Sequence, residues 1–475
     1  MSTRDLWPMF LAGRPVERAA ALSVENKFSG ERIGAVSTAS NADIDSAIKA
    51  AWEARRATRA LAGHERRDIL QRVVDGLSKR SEEFAQLLTL ETGKCVREAR
   101  GEVARAIDTF RLASEESTRI GGEFFPLDIS PRAADSQCVV GRFPAGVCSF
   151  ITPFNFPLNL AAHKIAPAIA AGCPWILKPS PNTPLTSMLL GELLADTSLP
   201  EGGFSILVCD NDAAAPLVED ERISVLSFTG STRVGWGLRE RAGRKRVLLE
   251  LGGNAACIVD RDVDLDHVAE RLTFGAFYQA GQSCISVQRV LAHREILDSL
   301  RTRLIAAAAV LKMGDPREES TTLGPLISQR EAERVEQWIA AAVAAGARVL
   351  CGGRRHGRFA EATWMENVAA DAQLDCEEVF GPVATLRPFD DFDEALHQAN
   401  ASRYGLQAGV FTNNLMHAMR AFRELDVGGV IINDVPSFRV DNMPYGGVKD
   451  SGAGREGVRY MIEELTERKA LVLRS

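Results

Sequence analysis

The sequence specifies an α/β protein, and three observations lead there. From residue 145 onward, short β-type runs alternate with helical ones, the pattern of strands joined by helical crossovers into a mostly parallel sheet. The first hundred residues carry apolar positions three and four apart among Arg, Glu and Lys, the periodicity of helices lying on a larger body. The composition is that of a globular chain: of 475 residues, 45% are hydrophobic and 25% charged, which supplies a sizeable core and excludes wholesale disorder or a stapled miniprotein. At about 150 residues per domain the length suggests roughly three domains.

Taken in order, helices are expected over residues 43–61 and 68–90. Residues 121–143, GGEFFPLDISPRAADSQCVVGRF, hold two short alternating runs between turn residues, and a hairpin arm and a surface loop both fit. A strand in AGVCSFITP, a helix over 158–171, a strand in PWILKP and a helix over 186–195 follow, then strands in FSILV, ISVLSFTG and RVLLEL. In such a sheet, ligands bind outside the carboxyl ends of the strands. After residue 251 a second α/β body begins, with helices over 265–277, 296–311 and 330–346.

The 56 basic and 63 acidic residues leave a net charge of −7, a field that favours neither nucleic acid nor an anionic membrane as partner. Nine cysteines, an odd number with no CxxC spacing, read as reduced thiols in a cytoplasmic setting, without a disulfide frame or a metal site. The N-terminus lacks a basic segment followed by an apolar core and a cleavage site, so secretion is not expected. Residues 165–177, interrupted by Pro167, Gly172 and Pro174, fall short of the roughly 20 apolar residues of a membrane span.

Several strand ends carry chemistry. Cys284 in GQSCISVQR follows small and polar residues, as in a loop that presents a side chain, and its thiolate would attack an electrophilic carbon; a buried structural thiol is the plainer alternative. Glu250 ends the apolar run LLEL before Gly-Gly, either as a satisfied carboxylate or as a general base raised by apolar walls. Asn155 in ITPFNFPLN sits among prolines at the top of a strand; it is a turn residue or an amide donor to a developing oxyanion. In FTGSTRVG, Gly230, Ser231 and Gly235 surround a helix start that offers free N–H groups to a pyrophosphate, or an ordinary N-cap. Lys178 in ILKPS would reach a cofactor ribose, or simply be solvated. The basic run at 239–246 and the loop CGGRRHGRF read as solvated surface.

FNFPL, ILKPS, FTGSTRVG, LELGGN, GQSC, EEVFGPV and YGGVKDSGAGREG, framed by ETGK at 91–94 and IEELTE at 462–467, together resemble the aldehyde dehydrogenase superfamily over nearly the whole chain. The resemblance points to the branch of lactaldehyde, non-phosphorylating glyceraldehyde-3-phosphate and phosphonoacetaldehyde dehydrogenases. It implies a modified Rossmann cofactor domain (1–122 and 143–250), an α/β catalytic domain (251–455) and a β-hairpin oligomerisation arm (123–142 and 456–475) in a homodimer or homotetramer. It implies NAD or NADP as coenzyme, with Thr152, Phe154, Lys178, Ser180, Gly230, Ser231, Gly235 and Leu251 around it, Glu378 on the nicotinamide ribose and Phe380 near the ring. It implies that Cys284 adds to an aldehyde, that Asn155 holds the oxyanion and that Glu250 activates water to release the acid. Two further readings of the same scaffold are acyl transfer to coenzyme A, which Glu250 disfavours, and a non-catalytic binding protein, which the intact trio disfavours.

Two departures bear on specificity. Three residues after Lys178, NAD-preferring members often carry Glu; here Pro181 removes a carboxylate that would repel a 2′-phosphate, so NADP is expected to be tolerated or preferred. At tunnel positions where members acting on apolar aldehydes carry aromatics, this chain has Arg439 and His163. Arg105 or Arg111 would add a second cation, whereas Ser283 stands where phosphate-handling relatives tend to have Arg. A short aldehyde with an anionic or polar tail follows, such as lactaldehyde, succinate semialdehyde or a phospho-, phosphono- or sulfo-aldehyde. The competing expectation is that Arg439 pairs with Asp434 or Asp441 and never meets substrate.

Overall fold

A computed structural model describes residues 4–474. Its first large sheet has eight strands, five of them parallel in the order Arg246–Glu250, Ile223–Thr229, Val147–Ile151, Trp175–Lys178, Phe204–Ile206. Side chains alternate between its faces: Trp175 and Leu177 pack with Val73, Phe110 and Ile165, while Ile176 packs with Ile44, Ile48 and Leu217 on the other side. The helix Asn41–Ala60 covers one face; Gly63–Lys79, Val96–Glu116, Asn159–Ala171 and Leu185–Ala195 cover the other. Burial on both faces explains why these strands read as continuous apolar runs.

A second sheet of seven strands, all parallel except Arg348–Cys351 at one edge, runs from that edge through Thr363–Glu366, Val383–Phe389, Val287–His293, Ala255–Val259 and Gln407–Phe411 to Gly429–Ile432. Helices Leu265–Phe277, Leu297–Ala309 and Gln329–Ala344 pack on one side. Residues 121–143 form a hairpin: Glu123–Pro126 pairs antiparallel with Ser136–Pro144, and Thr466–Arg474 adds a third strand in register over nine residues. The preceding helix, Val458–Glu464, packs against Asn159–Ala171 and Val96–Glu116.

One expected helix is two. Residues 68–90 divide at Arg80, whose backbone (φ −107°, ψ 18°) leaves the helix between Gly63–Lys79 and Ser81–Thr92. The apolar spacing continues across the break, so periodicity alone joins the two. Among the described residues no helix is long and apolar enough to cross a membrane.

Candidate active site

The carboxyl ends of the first sheet and the amino ends of the second face a cavity of about 790 Å³, lined by Asn155, Glu250, Cys284, Glu378, Arg105 and Arg439 among others. Asn155 lies in the loop between the strand Val147–Ile151 and the helix Asn159–Ala171, and its main chain is clamped from beneath. Its carbonyl accepts from Lys94 Nζ at 2.8 Å and from Gln279 Nε2. Lys94 is ion-paired with Glu102, whose other oxygen accepts from the N–H groups of Leu158 (2.9 Å) and Asn159 (3.1 Å). The Asn155 amide thus points at the Cys284 loop, donating to the Gln282 carbonyl at 3.1 Å, while its Oδ1 has no partner.

Three successive left-handed residues precede the cysteine: Gln279 (φ 52°), Ala280 (φ 53°) and Gly281 (φ 69°). For the two non-glycine residues this conformation is disfavoured, and the first is tied down by Gln279 N, which donates to half-buried Glu98 at 2.8 Å. At Gly281 a Cβ would stand 2.1 Å from the Gly381 carbonyl oxygen, so only glycine fits. The turn presents Cys284 half-buried in the cavity, its Sγ 3.3 Å from Tyr445 Oη. Burial pushes the thiol up to about 12, opposed by the Tyr445 hydrogen bond.

Glu250 is buried at its strand end, with Oε2 unpartnered and Oε1 against Gly446. Burial, reinforced by the charge of Glu456, raises its carboxyl well above the ordinary range. For Glu456, burial works against ionisation, but Lys164 (2.9 Å) and Arg439 (3.2 Å) outweigh it and hold the carboxyl down at about 2. Glu378 accepts from Gly253 N at 2.9 Å and is raised by burial to about 7; Phe380, at φ 48°, sets its ring edge-on to Phe154 at 5.8 Å.

Of the expected coenzyme residues, Phe154, Gly230, Ser231, Leu251, Glu378 and Phe380 line the cavity. Thr152, Lys178, Ser180 and Gly235 do not. Lys178 Nζ reaches Asn211 at 3.3 Å, Ser180 Oγ accepts from Asn182 N, and Gly235 leaves room for Leu251, whose side chain a Cβ would meet at 2.3 Å. A dinucleotide fits this surface. Ser231 caps the helix Thr232–Arg241 without a side-chain hydrogen bond, and beside it the hydroxyl of Thr229, which also lines the cavity, is buried without a hydrogen-bond partner.

Two expected substrate residues are corrected. Arg111 lies on the outer surface of the helix Val96–Glu116, paired with Asp108 at 2.6 Å; six residues from Arg105, it points about 120° away from it around the helix axis. His163 has no exposed surface and lies behind the cavity, its Nε2 2.8 Å from Asp441. Burial, then the charge of Arg439, lowers its pKa and favours the neutral ring. Arg105, Arg439 and Ser283 do line the cavity. Arg105 pairs with Asp441 at 2.8 Å; Arg439 stacks 3.6 Å from the Tyr445 ring centroid and pairs with Glu456 at 3.2 Å and with Asp441 at 3.9 Å, while Asp434 pairs with Arg271 instead. The Nε of both arginines is buried without a hydrogen-bond partner.

Comparison with known proteins decides the class. The aldehyde dehydrogenase family profile matches residues 16–471. The chain belongs to the aldehyde dehydrogenase family. It is 42% identical over 466 residues to the 3-sulfolactaldehyde dehydrogenase of Priestia megaterium, covering 98% of this chain and 97% of that one. The crystal structure of aldehyde dehydrogenase 21 from Physcomitrella patens, in complex with the reaction product succinate, matches with TM-score 0.98 and 49% identity over 99% of both chains. An E. coli NADP-dependent enzyme matches with TM-score 0.95 and 35% identity over 99% of this chain and 98% of that one. The chain is an NAD(P)-dependent aldehyde dehydrogenase that oxidises an aldehyde to its acid. Reading the sequence missed Lys94, Glu102, Lys164 and Glu456 as parts of the site; ETGK and GREG contain two of them, and the other two stand outside every motif quoted.

Proposed function

We propose that the substrate is a short aldehyde with an anionic tail, gripped by Arg105 and Arg439. The observation that carries this is the pair of guanidinium groups lining the cavity, each with a buried Nε that makes no hydrogen bond. An anion there satisfies both donors and offsets their desolvation. Both the sulfonate named in one relative and the succinate bound in another are anionic, which supports the reading.

Cys284 Sγ adds to the aldehyde carbon, and the second N–H of the Asn155 amide holds the resulting oxyanion. Ser231, Gly230, Glu378 and Phe380 would hold NAD or NADP, which when bound would supply the hydride acceptor that oxidation to the thioester level requires. Glu250 then removes a proton from water, the water oxygen bonds to the acyl carbon, and the thiolate departs as the carboxylate forms. Hydrolysis rather than transfer to coenzyme A follows from Glu250, an unpartnered carboxylate on the cavity wall. Pro181 in place of a carboxylate supports use of NADP; a preference for NAD above about a hundredfold, or about 2.7 kcal/mol, contradicts that part.

We assign residues 1–122 and 143–250 to the coenzyme domain, 251–455 to the catalytic domain and 123–142 with 456–475 to the arm. The helix Val458–Glu464 is then the root of the arm on the first domain. The enzyme works in the cytoplasm as a homodimer or homotetramer built through the arm. The deciding experiment is a steady-state comparison of succinate semialdehyde and sulfolactaldehyde with propanal, for the parent and for Arg439→Phe. The substitution is expected to raise KM for the anionic aldehydes about tenfold more than KM for propanal, while any fall in kcat is common to all three. Equal effects on all three end the tail assignment.

A further inference from the structure

The mechanism above makes no use of the Tyr445 hydroxyl, although this oxygen is the only group hydrogen-bonded to Cys284 Sγ among the described residues, at 3.3 Å. While the cysteine is a thiol, either group can donate. Once Sγ is ionised it can only accept, so the donor must be the tyrosine O–H, and the bond becomes charge-assisted. A hydrogen bond stronger in one protonation state draws the equilibrium towards that state.

The surroundings hold the phenol in place for this task. Tyr445 N–H donates to the Glu456 carbonyl at 3.0 Å, Glu456 N–H donates back to the Tyr445 carbonyl, and the ring packs with Ile285 and Leu406. The Arg439 guanidinium lies over the ring, 3.6 Å from its centroid. A cation on the ring face draws electron density from the phenol and strengthens its O–H as a donor. The other charges facing Sγ are Glu250, from the end of the strand Arg246–Glu250, and Glu378, from the loop before Val383–Phe389; both oppose ionisation, and Arg439 favours it.

We propose that Tyr445 is a catalytic residue that activates the nucleophile. Its hydroxyl donates to the Cys284 thiolate before the aldehyde arrives and gives up that bond as sulfur bonds to carbon. The thiol proton leaves to water, and the phenol keeps its own. Because Arg439 contacts both the tail pocket and the ring, tail binding and thiol activation share one side chain. This inference rests on Cys284 being the nucleophile, and the experiment separates the two.

The test is the pH dependence of iodoacetamide inactivation of the full-length enzyme and of Tyr445→Phe, with the label located by mass spectrometry. We expect alkylation at Cys284 in both. The inactivation midpoint of the variant should rise by about one pH unit, which slows alkylation about tenfold below the midpoint. The high-pH plateau should stay within about twofold of the parent. A merely structural ring would move the plateau or the melting temperature and leave the midpoint alone. Alkylation at Cys284 with an unmoved midpoint overturns the role of Tyr445 and spares the nucleophile. Label on a different cysteine overturns both.

Discussion

Two buried carboxylates flank the Cys284 loop, and their surroundings push them in opposite directions. Glu456 is held ionised by Lys164 and Arg439, with Lys164 itself fixed by Ser227 Oγ at 2.7 Å. Glu250 has no such partner, and burial together with the negative Glu456 raises its pKa. A general base acts only when unprotonated, so a raised pKa moves its activity limb upwards. We expect kcat to climb with pH across a limb lying above the usual carboxylate range, and to do so in the hydrolytic step. Replacing Glu250→Gln should remove that limb and lower steady-state acid formation by about 10²–10⁴-fold, while a first-turnover burst of reduced coenzyme persists. Stopped-flow absorbance at several pH values checks both; a lost burst would move Glu250 out of the hydrolytic step. Glu250 and Asn155 were legible because each stands in a motif at the carboxyl end of a strand, and Cys284 because small and polar residues mark the loop that presents it before one. Glu456 was not, since its importance comes from Lys164, 292 residues away in the chain. Arg439 was legible as an odd residue in its motif, and of the two aspartates expected beside it Asp441 lies at 3.9 Å, but its shorter pair, at 3.2 Å, is with Glu456.

At the level of elements, the loop carrying Asn155 is held by a buried ion pair beneath it. Lys94 and Glu102 have no exposed side-chain surface, and between them they satisfy the Asn155 carbonyl and the first N–H groups of the helix that follows. Breaking such a pair leaves an uncompensated buried charge, which costs about 3–5 kcal/mol. Lys94→Met is therefore expected to lower the melting temperature clearly. Because the same nitrogen positions the oxyanion donor, kcat should also fall about 10–100-fold with KM changed less, since a small misplacement weakens the transition state more than the ground state. A large drop in melting temperature with kcat intact would reduce the pair to a purely structural role. Strands and long helices were readable because their periodicities are local. The break at Arg80 was not, because its neighbours keep the same apolar spacing, and the clamp was not, because it joins residues 94, 102, 155 and 279.

For the whole molecule, the arm leaves an edge that water does not suit. The strand Thr466–Arg474 lies at the end of its three-stranded sheet, and every residue after Thr466 is exposed, including Leu471 (56%), Val472 (51%) and Leu473 (49%). Phe124 (65%) and Ile129 (96%) on the hairpin extend the apolar surface. A long unpaired edge with exposed hydrophobic side chains is a template for pairing with another chain. The seven-stranded sheet offers a second free edge at Gly429–Ile432, with Ile432 39% exposed. Two copies joined through such edges cover apolar surface and complete open ladders at once, whereas one copy can do neither. Leu471→Asp places a charge in the middle of the arm edge, where desolvation without a partner opposes assembly. Sedimentation velocity should show the parent as a dimer or tetramer and the variant shifted towards monomer at the same concentration. The active site lies on the main body, so the variant's initial loss should be of assembly, with activity falling only as the separated subunits lose stability. A parent that sediments as a monomer, or a variant whose assembly matches the parent, would remove the arm from the interface.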